Sequence, residues 1–260
     1  MRQIISYFFK PNSIKMKIFA KLGIDRLYFK PDRGSSVIET PELVIREGRK
    51  EHRAIYYRGI QGPGKKAALL IAHGNAGNIY QRRYLLDSLY TFFSGDIYCF
   101  EYPGFGRLKG QATIQGCIDE FSWWYYKLLD AGYSKIDLYG ESIGAAIIMK
   151  GLVSIIDRSP IERIYLESAF SSIKQTVRDL NPFLYWLYKF VRLDHLNTAE
   201  ILELFDFGDI QLIFIHSPDD KMIHISHAYH NFEIANTKNK QLYLVAGGHN
   251  NIQLAGNIFK

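Results

Sequence analysis

The apolar positions of the chain fall into short runs that alternate with longer stretches of helical spacing. Runs rich in branched and aromatic residues predict eight strands, at 43–47, 52–58, 67–72, 96–101, 135–139, 162–167, 210–215 and 241–246. Helices are predicted at 79–93, 113–131, 143–156 and 225–236. After two opening strands, strand and helix alternate, which is typical of a mostly parallel sheet.

Two of the predicted strands are apolar on both faces. Residues 67–72 read AALLIA, and residues 212–215 read LIFI. A strand of this kind must be covered on both sides, as it is in the interior of a parallel sheet. The sequence therefore predicts an α/β fold with an eight-stranded, mostly parallel sheet and helices on both faces.

The segment 168–209 interrupts this alternation. It contains a cluster of aromatic residues after Asn181 and Pro182, followed by a short helix-like run. Because it is inserted between two strands, it is predicted to form a small cap over the carboxyl edge of the sheet. The domain prediction is an N-terminal segment at 1–30 and one domain at 31–260 that carries this cap.

The first 30 residues are basic and aromatic, with seven Lys or Arg residues against one acid, Asp25. The formal net charge of the whole chain is +6, so the remaining residues balance. Nucleic acid is excluded as a partner, because binding it needs a basic face on the folded domain. The apolar run at residues 4–9 is shorter than the roughly 20 residues that span a bilayer. The segment is predicted either to contact an anionic membrane surface or to pack along the fold.

The two cysteines, Cys99 and Cys117, are too few for a disulfide framework and are interpreted as buried thiols. No Asn-x-Ser/Thr sequence occurs in the chain. Both observations favour a reducing compartment, so we expect a cytoplasmic protein, with peripheral membrane association if the N-terminal segment binds lipid.

Candidate chemistry begins at residues 140–144, which read GESIG. This Gly-x-Ser-x-Gly pattern lies between a predicted strand and a predicted helix, where a sharp turn lifts the Ser142 hydroxyl clear of the sheet. The two glycines are expected because neighbouring backbones pass too close for a β-carbon. Ser142 is the predicted nucleophile.

A serine hydroxyl needs a base to take its proton. Of the eight histidines, His249 is the predicted base, because it follows the last strand on a glycine-rich loop; His216 is the alternative. Three further histidines, at 224, 227 and 230, are interpreted as solvated residues of a surface helix. Their spacing does not suit a metal, and no metal or organic cofactor is implied.

The imidazole in turn needs a carboxylate. Asp220 is the predicted acid, because it follows a strand that ends at the same edge of the sheet. Asp219 is the second choice and Glu167 the third. The order serine, acid, histidine along the chain is the order expected for a strand-turn-helix nucleophile.

Two main-chain donors are predicted for the oxyanion of a tetrahedral intermediate, the N–H groups of Ile143 and Asn75. Asn75 lies in the loop 73–78, which His73 is expected to hold in shape by hydrogen bonding. The glycine-rich stretch 101–106 is interpreted as a turn beside the site, because no helix follows it as phosphate binding would require.

Together these motifs resemble the serine α/β-hydrolase superfamily. They are HGNAGN at 73–78, EYPGFG at 101–106, GESIG at 140–144, HSPDD at 216–220 and GGHN at 247–250. The likeness is closest to the eukaryote-type α/β-hydrolase-domain branch that includes protein depalmitoylases. It implies an α/β-hydrolase fold, with Ser142, Asp220 and His249 in the positions of nucleophile, acid and base.

Three departures from that branch bear on substrate. The cysteine-rich N-terminus of the depalmitoylases is absent, Glu101 stands where Asp is usual, and the segment 168–209 is longer and more aromatic. The expected function is hydrolysis of an acyl ester or thioester in a small-molecule, lipid or protein substrate. The alternatives are a serine peptidase and a binding module of the same fold without turnover.

Overall fold

The computed structural model describes residues 30–32, 41–60, 66–180 and 196–259. The predicted N-terminal segment, apart from Lys30, lies outside the described residues. So does the aromatic cluster of the predicted cap, at residues 183–190.

One sheet of eight strands forms the centre of the molecule. Its strands are β2 (Glu42–Glu47), β3 (Lys50–Tyr57), β4 (Ala67–Ala72), β6 (Asp96–Phe100), β7 (Lys135–Glu141), β8 (Arg163–Glu167), β9 (Gln211–His216) and β10 (Lys240–Leu244). Each overlaps one predicted strand. The two shortest described strands, β1 (Lys30–Pro31) and β5 (Ala76–Gly77), pair with each other in parallel.

The strand order is β10-β9-β8-β7-β4-β6-β3-β2. Strand β3 runs antiparallel to both of its neighbours, and all the other pairs are parallel. The predicted α/β class and the mostly parallel eight-stranded sheet are confirmed. Since β4, β6, β7, β8, β9 and β10 point the same way, the loops that follow them meet at one edge.

Helices cover both faces of the sheet. They are α1 (Arg83–Phe92), α2 (Ile114–Asp130), α3 (Ile143–Leu152), α4 (Ile173–Leu180), α5 (Thr198–Leu204) and α6 (Ser226–Ile234), with 3₁₀ turns at Ile79–Arg82 and Gly256–Phe259. None of the helices in the described ranges is long and apolar enough to cross a membrane.

The sheet separates two apolar cores, as the two-sided pattern of its central strands requires. On one face, Leu70 and Leu138 pack with α2, α3 and α5. On the other, Leu69 and Tyr139 pack with α1 and the C-terminal 3₁₀ turn. Cys99 and Cys117 are buried free thiols, one in each core.

The segment 168–209 divides into parts with different surroundings. Helix α5 lies near the end of the segment and packs against α3 and α6. Its residues Ile201 and Leu202 are fully buried there. This part belongs to the helical layer of the domain. Helix α4 has no buried residue and begins just after β8, at the carboxyl edge of the sheet. Of the described part of the segment, only α4 and the loop before it lie at this edge, and the predicted cap stays a prediction.

A buried carboxyl in β7 makes stability depend on pH. Asp137 is fully buried, accepts a hydrogen bond from the Arg163 amide (3.1 Å) and lies 3.6 Å from the Lys135 ammonium. Burial raises the pKa of Asp137 from 3.8 to about 6, against the smaller opposing effect of Lys135. The folded state thus holds the Asp137 proton more tightly than the unfolded state does. The stability that this proton contributes is fully present below pH 3.8 and is lost as the pH rises through about 6.

We expect Asp137→Asn to remove this dependence. The free energy of unfolding of the variant, minus that of the wild type, should rise by roughly 2 kcal/mol between pH 4 and pH 7.5 in urea titrations, because the carboxyl of the unfolded chain is already partly ionised at pH 4. Asp157→Asn is the control, because Asp157 is exposed and hydrogen bonds from Ser159 lower its pKa. A difference for Asp137→Asn that stays constant with pH would contradict the prediction.

Candidate active site

Ser142 lies in a sharp turn between β7 and α3 with φ of 55° and ψ of −113°. This is the left-handed region, which costs a residue with a side chain on the order of 1–3 kcal/mol. The turn is held by hydrogen bonds on both sides. The Ser142 amide donates to the Glu167 carbonyl (2.8 Å), and the Ala145 amide donates to the Ser142 carbonyl (3.1 Å). The serine is thus fixed above the carboxyl end of β7.

Close backbone approach explains both glycines of the GESIG motif. A β-carbon on Gly144 would lie 1.9 Å from the Ala72 carbonyl oxygen, and one on Gly140 would lie 2.4 Å from the Ala145 Cα. No substitution fits at such distances without moving α3 away from β4. The requirement for glycine at these two positions follows from the packing of the helix on the sheet.

The structure brings Ser142, His249 and Asp220 into one hydrogen-bonded chain. His249 Nε2 lies 3.1 Å from Ser142 Oγ, and His249 Nδ1 lies 2.7 Å from Asp220 Oδ2. His249 is on the loop after β10 and Asp220 on the loop after β9. The Ser217 hydroxyl donates to the Gly247 carbonyl and so joins these two loops.

The surroundings of Asp220 determine which nitrogen of His249 carries the proton. Burial acts to raise the pKa of Asp220, but the hydrogen bonds from His249 and from the amides of Ile223 and Met222 hold it below its ordinary value. Both amides donate to Oδ1 at 2.8 Å, which leaves Oδ2 for the imidazole. An ionised Oδ2 accepts from Nδ1–H, so the lone pair of Nε2 faces the Ser142 hydroxyl.

The alternative residues occupy other positions. Asp219 is exposed. Glu167 binds the Tyr139 hydroxyl, and burial, with the charge of Glu141, raises its pKa to about 8. His216 is buried beneath the site and its Nε2 donates to the Ile223 carbonyl (2.8 Å). None of the three contacts the Ser142 hydroxyl.

The interpretation of His227 as a solvated residue is wrong. His224 and His230 are exposed, but His227 is 2% exposed and its Nδ1 accepts hydrogen bonds from the Ser171 amide (3.0 Å) and hydroxyl (2.8 Å). Its face of α6 also carries the buried residues Ala228 and Asn231. The neighbouring Ala228 and Asn231 are the sequence feature that could have indicated a buried position for His227. The regular spacing of the three histidines favoured the wrong interpretation.

The loop 73–78, with the two predicted oxyanion donors, lies beside Ser142. His73 is fully buried, with Nδ1 2.8 Å from the Gly74 carbonyl and Nε2 3.0 Å from Glu101 Oε1. It therefore holds the loop in shape by hydrogen bonding. Asn75 in this loop and Ile143 in the first turn of α3 both border the cavity that Ser142 faces. The turn 101–106 supports the loop from beneath, where Phe105 packs edge-on against His73.

The cavity beside Ser142 has a volume of about 270 Å³. Most of its wall is apolar. The apolar side chains are Ile143, Phe170, Ile173, Leu180, Met222 and Ile223. They come from the first turn of α3, from α4 with the loop before it, and from the loop after β9. A preformed apolar cleft with a few polar groups at one end is the usual form of a small-molecule site.

Known proteins are similar to this chain in sequence. The uncharacterised protein YfhR of Escherichia coli K12 is 26% identical over 230 residues, covering 86% of this chain and 77% of YfhR. Human α/β-hydrolase domain-containing protein 17B is 24% identical over 199 residues, covering 75% of this chain and 64% of that protein. No family model matches the chain.

Among solved structures, the Pyrococcus furiosus esterase Pf2001 superposes with a TM-score of 0.61 at 16% identity, covering 85% of this chain and 89% of the esterase. The chain has the α/β-hydrolase fold. The predicted likeness to the eukaryote-type α/β-hydrolase-domain proteins is confirmed.

Two contributors to the site of this α/β-hydrolase-fold protein are missing from the sequence prediction. They are the amides of Met222 and Ile223, which fix the Asp220 carboxylate. Main-chain donors leave no signature in residue type, so nothing in the sequence identifies them. The contribution of Phe170 to the cavity wall has a weak signal, since it follows a strand end at the same edge.

Asp220→Asn should reverse the protonation of His249. The two amides at Oδ1 keep the amide oxygen of Asn on their side, so its NH₂ group faces Nδ1 and forces the ring proton onto Nε2. Ser142 then faces a donor instead of an acceptor. We expect ¹⁵N NMR of the histidine ring to show the other tautomer, and the rate of Ser142 reaction with a fluorophosphonate to fall roughly 10³- to 10⁴-fold.

Asp219→Asn is the matched control, because Asp219 is the adjacent acid and is exposed. It should keep the wild-type tautomer and rate. An unchanged tautomer in Asp220→Asn would contradict the assignment of Oδ2 to the imidazole.

Proposed function

We propose that this chain is a serine hydrolase that cleaves acyl esters or thioesters through an acyl-enzyme intermediate. The observation that carries the proposal is the continuous hydrogen-bonded chain from Asp220 through His249 to Ser142, which ends at a mainly apolar cavity. Esterases among the structural neighbours support it, although that likeness is one of fold.

Acylation begins when His249 Nε2 takes the proton of the Ser142 hydroxyl as Oγ attacks the carbonyl carbon. The imidazolium is stabilised by Asp220, which stays ionised because its pKa lies below the ordinary value. The distance of 3.1 Å between Nε2 and Oγ is within the range for this transfer.

The tetrahedral intermediate carries negative charge on the former carbonyl oxygen. The Ile143 amide is assigned as one donor because it directly follows the nucleophile, at the N-terminus of α3. The Asn75 amide is assigned as the second, from the loop after β4. Loss of one such donor costs roughly 3–4 kcal/mol of transition-state stabilisation.

Collapse of this intermediate breaks the bond to the leaving group, and the imidazolium supplies the proton that an alcohol leaving group needs. A water molecule then enters. His249 takes a proton from this water as the water oxygen attacks the acyl carbon. The second tetrahedral intermediate that forms then releases the carboxylic acid. The proton returns to Ser142 Oγ, so the enzyme ends in its starting state.

An acyl chain suits the cavity better than a peptide does. Phe170, Ile173 and Ile223 offer apolar surface and few hydrogen-bonding groups, whereas a peptide backbone needs partners for its N–H and C=O groups. The acylated substrate is a small molecule, a lipid or a lipid-modified protein. Contact of the N-terminal segment with a membrane would give the enzyme access to the last two.

Ser142→Ala should abolish both labelling by a fluorophosphonate and turnover of p-nitrophenyl and thioester acyl substrates, because no other described serine is bonded to His249. The measurement is in-gel labelling with parallel hydrolysis assays. Ser88→Ala is the control and should behave as the wild type, because the Ser88 hydroxyl on α1 donates to the Tyr84 carbonyl and does not line the cavity. Equal labelling of wild type and Ser142→Ala would remove the proposed nucleophile, and a wild type that turns over no substrate would favour a binding module.

The rate should depend on acyl length. We expect kcat/KM to rise about three- to fourfold for each methylene buried, which corresponds to about 0.8 kcal/mol each, and to level off once the cavity is filled. The measurement is a series of p-nitrophenyl esters from acetyl upward. Ile173→Trp, which narrows the cavity, should move the optimum to shorter chains.

The control for this variant is Ile156→Trp, since Ile156 is 89% exposed and does not line the cavity. A profile that is flat with chain length, or highest for acetyl, would contradict the assignment of the cavity to an acyl chain.

A further inference from the structure

The residue before the nucleophile contacts the loop that carries Asn75. Glu141 is the first of the two variable positions of the GESIG motif, and its Oε2 accepts a hydrogen bond from the Gly74 amide at 3.0 Å. A β-carbon on Gly74 would lie 3.0 Å from Glu141 Oε1, so the carboxylate occupies the space of a side chain at position 74. One end of the loop is therefore bonded to the residue adjacent to Ser142.

The other side of the same loop is bonded to an arginine. Arg82 donates from Nη2 to the Ala76 carbonyl at 2.5 Å, and from Nε to Glu141 Oε2 at 2.7 Å. The Arg82 guanidinium thus binds both the loop, at Ala76, and the Glu141 carboxylate, which accepts from the amide at Gly74 of the same loop. We call the pair Arg82 and Glu141 the clamp.

Asn75 lies between the two attachment points of the clamp, Gly74 and Ala76. The hydrogen bond between the Gly74 amide and the Glu141 carboxylate therefore helps to fix the Asn75 amide relative to Ser142, because Glu141 directly precedes Ser142 in the chain. Oxyanion stabilisation depends on donors that are already in place when charge develops. A small displacement of this amide would weaken that stabilisation, while the apolar side chains of α4 and of the loop after β9, on other parts of the cavity wall, would stay in place.

The clamp is buried, which makes its bonds strong and its loss consequential. The side chains of Arg82 and Glu141 are 9% and 5% exposed. Charges in such surroundings are screened little by solvent, and removal of one partner leaves the other charge uncompensated.

The geometry requires an arginine. Nε and Nη2 of one planar group are directed at two acceptors, a carboxylate and a main-chain carbonyl. A lysine carries the same charge at a single point and does not match this fork. Arg82→Lys therefore tests geometry while it preserves charge.

We propose that Arg82 and Glu141 are positioning residues that hold the Asn75 amide in place for oxyanion binding. The proposal rests on the serine-hydrolase function proposed above. It assigns to Glu141 a role beyond its place in the motif, and to Arg82 a role in catalysis exerted through the loop.

The first test is amide hydrogen exchange of the folded protein. In Arg82→Lys, a peptide covering residues 73–78 should exchange faster than in the wild type, while peptides of β6, β9 and α2 keep their protection. Glu141→Gln serves as a second variant and should show the same local change. The control is Arg163→Lys, since Arg163 at the beginning of β8, at the opposite edge of the sheet, also donates to two acceptors, the Tyr165 hydroxyl and the Phe259 carbonyl.

The second test is kinetic. Arg82→Lys should lower kcat about 10- to 100-fold with little change in KM, because the loop acts on the transition state. Its affinity for a trifluoromethyl ketone, which forms an oxyanion on Ser142, should fall by the same factor as kcat/KM. Arg163→Lys should leave both values at the wild-type level.

The two tests separate the clamp from the function on which it rests. A wild type without turnover that depends on Ser142 would refute the proposed function, and the exchange of residues 73–78 would still decide whether the clamp holds the loop. Unchanged exchange in both variants would overturn the clamp. Faster exchange with unchanged kcat and ketone affinity would overturn its role in catalysis.

Discussion

The architecture of the site depends on one constraint, the close contact between the start of α3 and the end of β4. Gly144 lies against the Ala72 carbonyl at a distance that no side chain permits. This contact forces the chain to turn sharply at Ser142, and the hydrogen bond from its amide to Glu167 keeps the left-handed backbone in place. The cost of the strained residue is met by the packing of α3 on the sheet.

The parallel direction of the strands explains how distant residues meet. Ser142, Asp220 and His249 each follow the carboxyl end of a strand, and the strands concerned, β7, β9 and β10, lie on one side of the sheet. The loop with Asn75 follows β4, the neighbour of β7 on the other side. The proposed nucleophile thus has its proposed base and acid on one flank and its proposed oxyanion donor on the other, an arrangement that suits electrostatic preorganisation.

The sheet and the central residues of the site were predictable because their signals are local. Apolar runs gave all eight strands of the main sheet, and the motif around Ser142 combines a nucleophile with two glycines that tight packing demands. Other features depend on tertiary contacts that no local pattern encodes. Arg82 and Glu141 are 59 positions apart, and the amides that fix Asp220 carry no residue signature. His227 is buried, although the histidines three positions before and after it are exposed.

The small pairing of β1 with β5 gives the chain that precedes Lys30 a direct connection to the site. Lys30 pairs with Ala76, one residue from Asn75, and Asp32 binds Asn78, Gln81 and Gly106 around the same loop. Any tension on the chain that precedes Lys30 would therefore act on the loop at a point only one residue from Asn75.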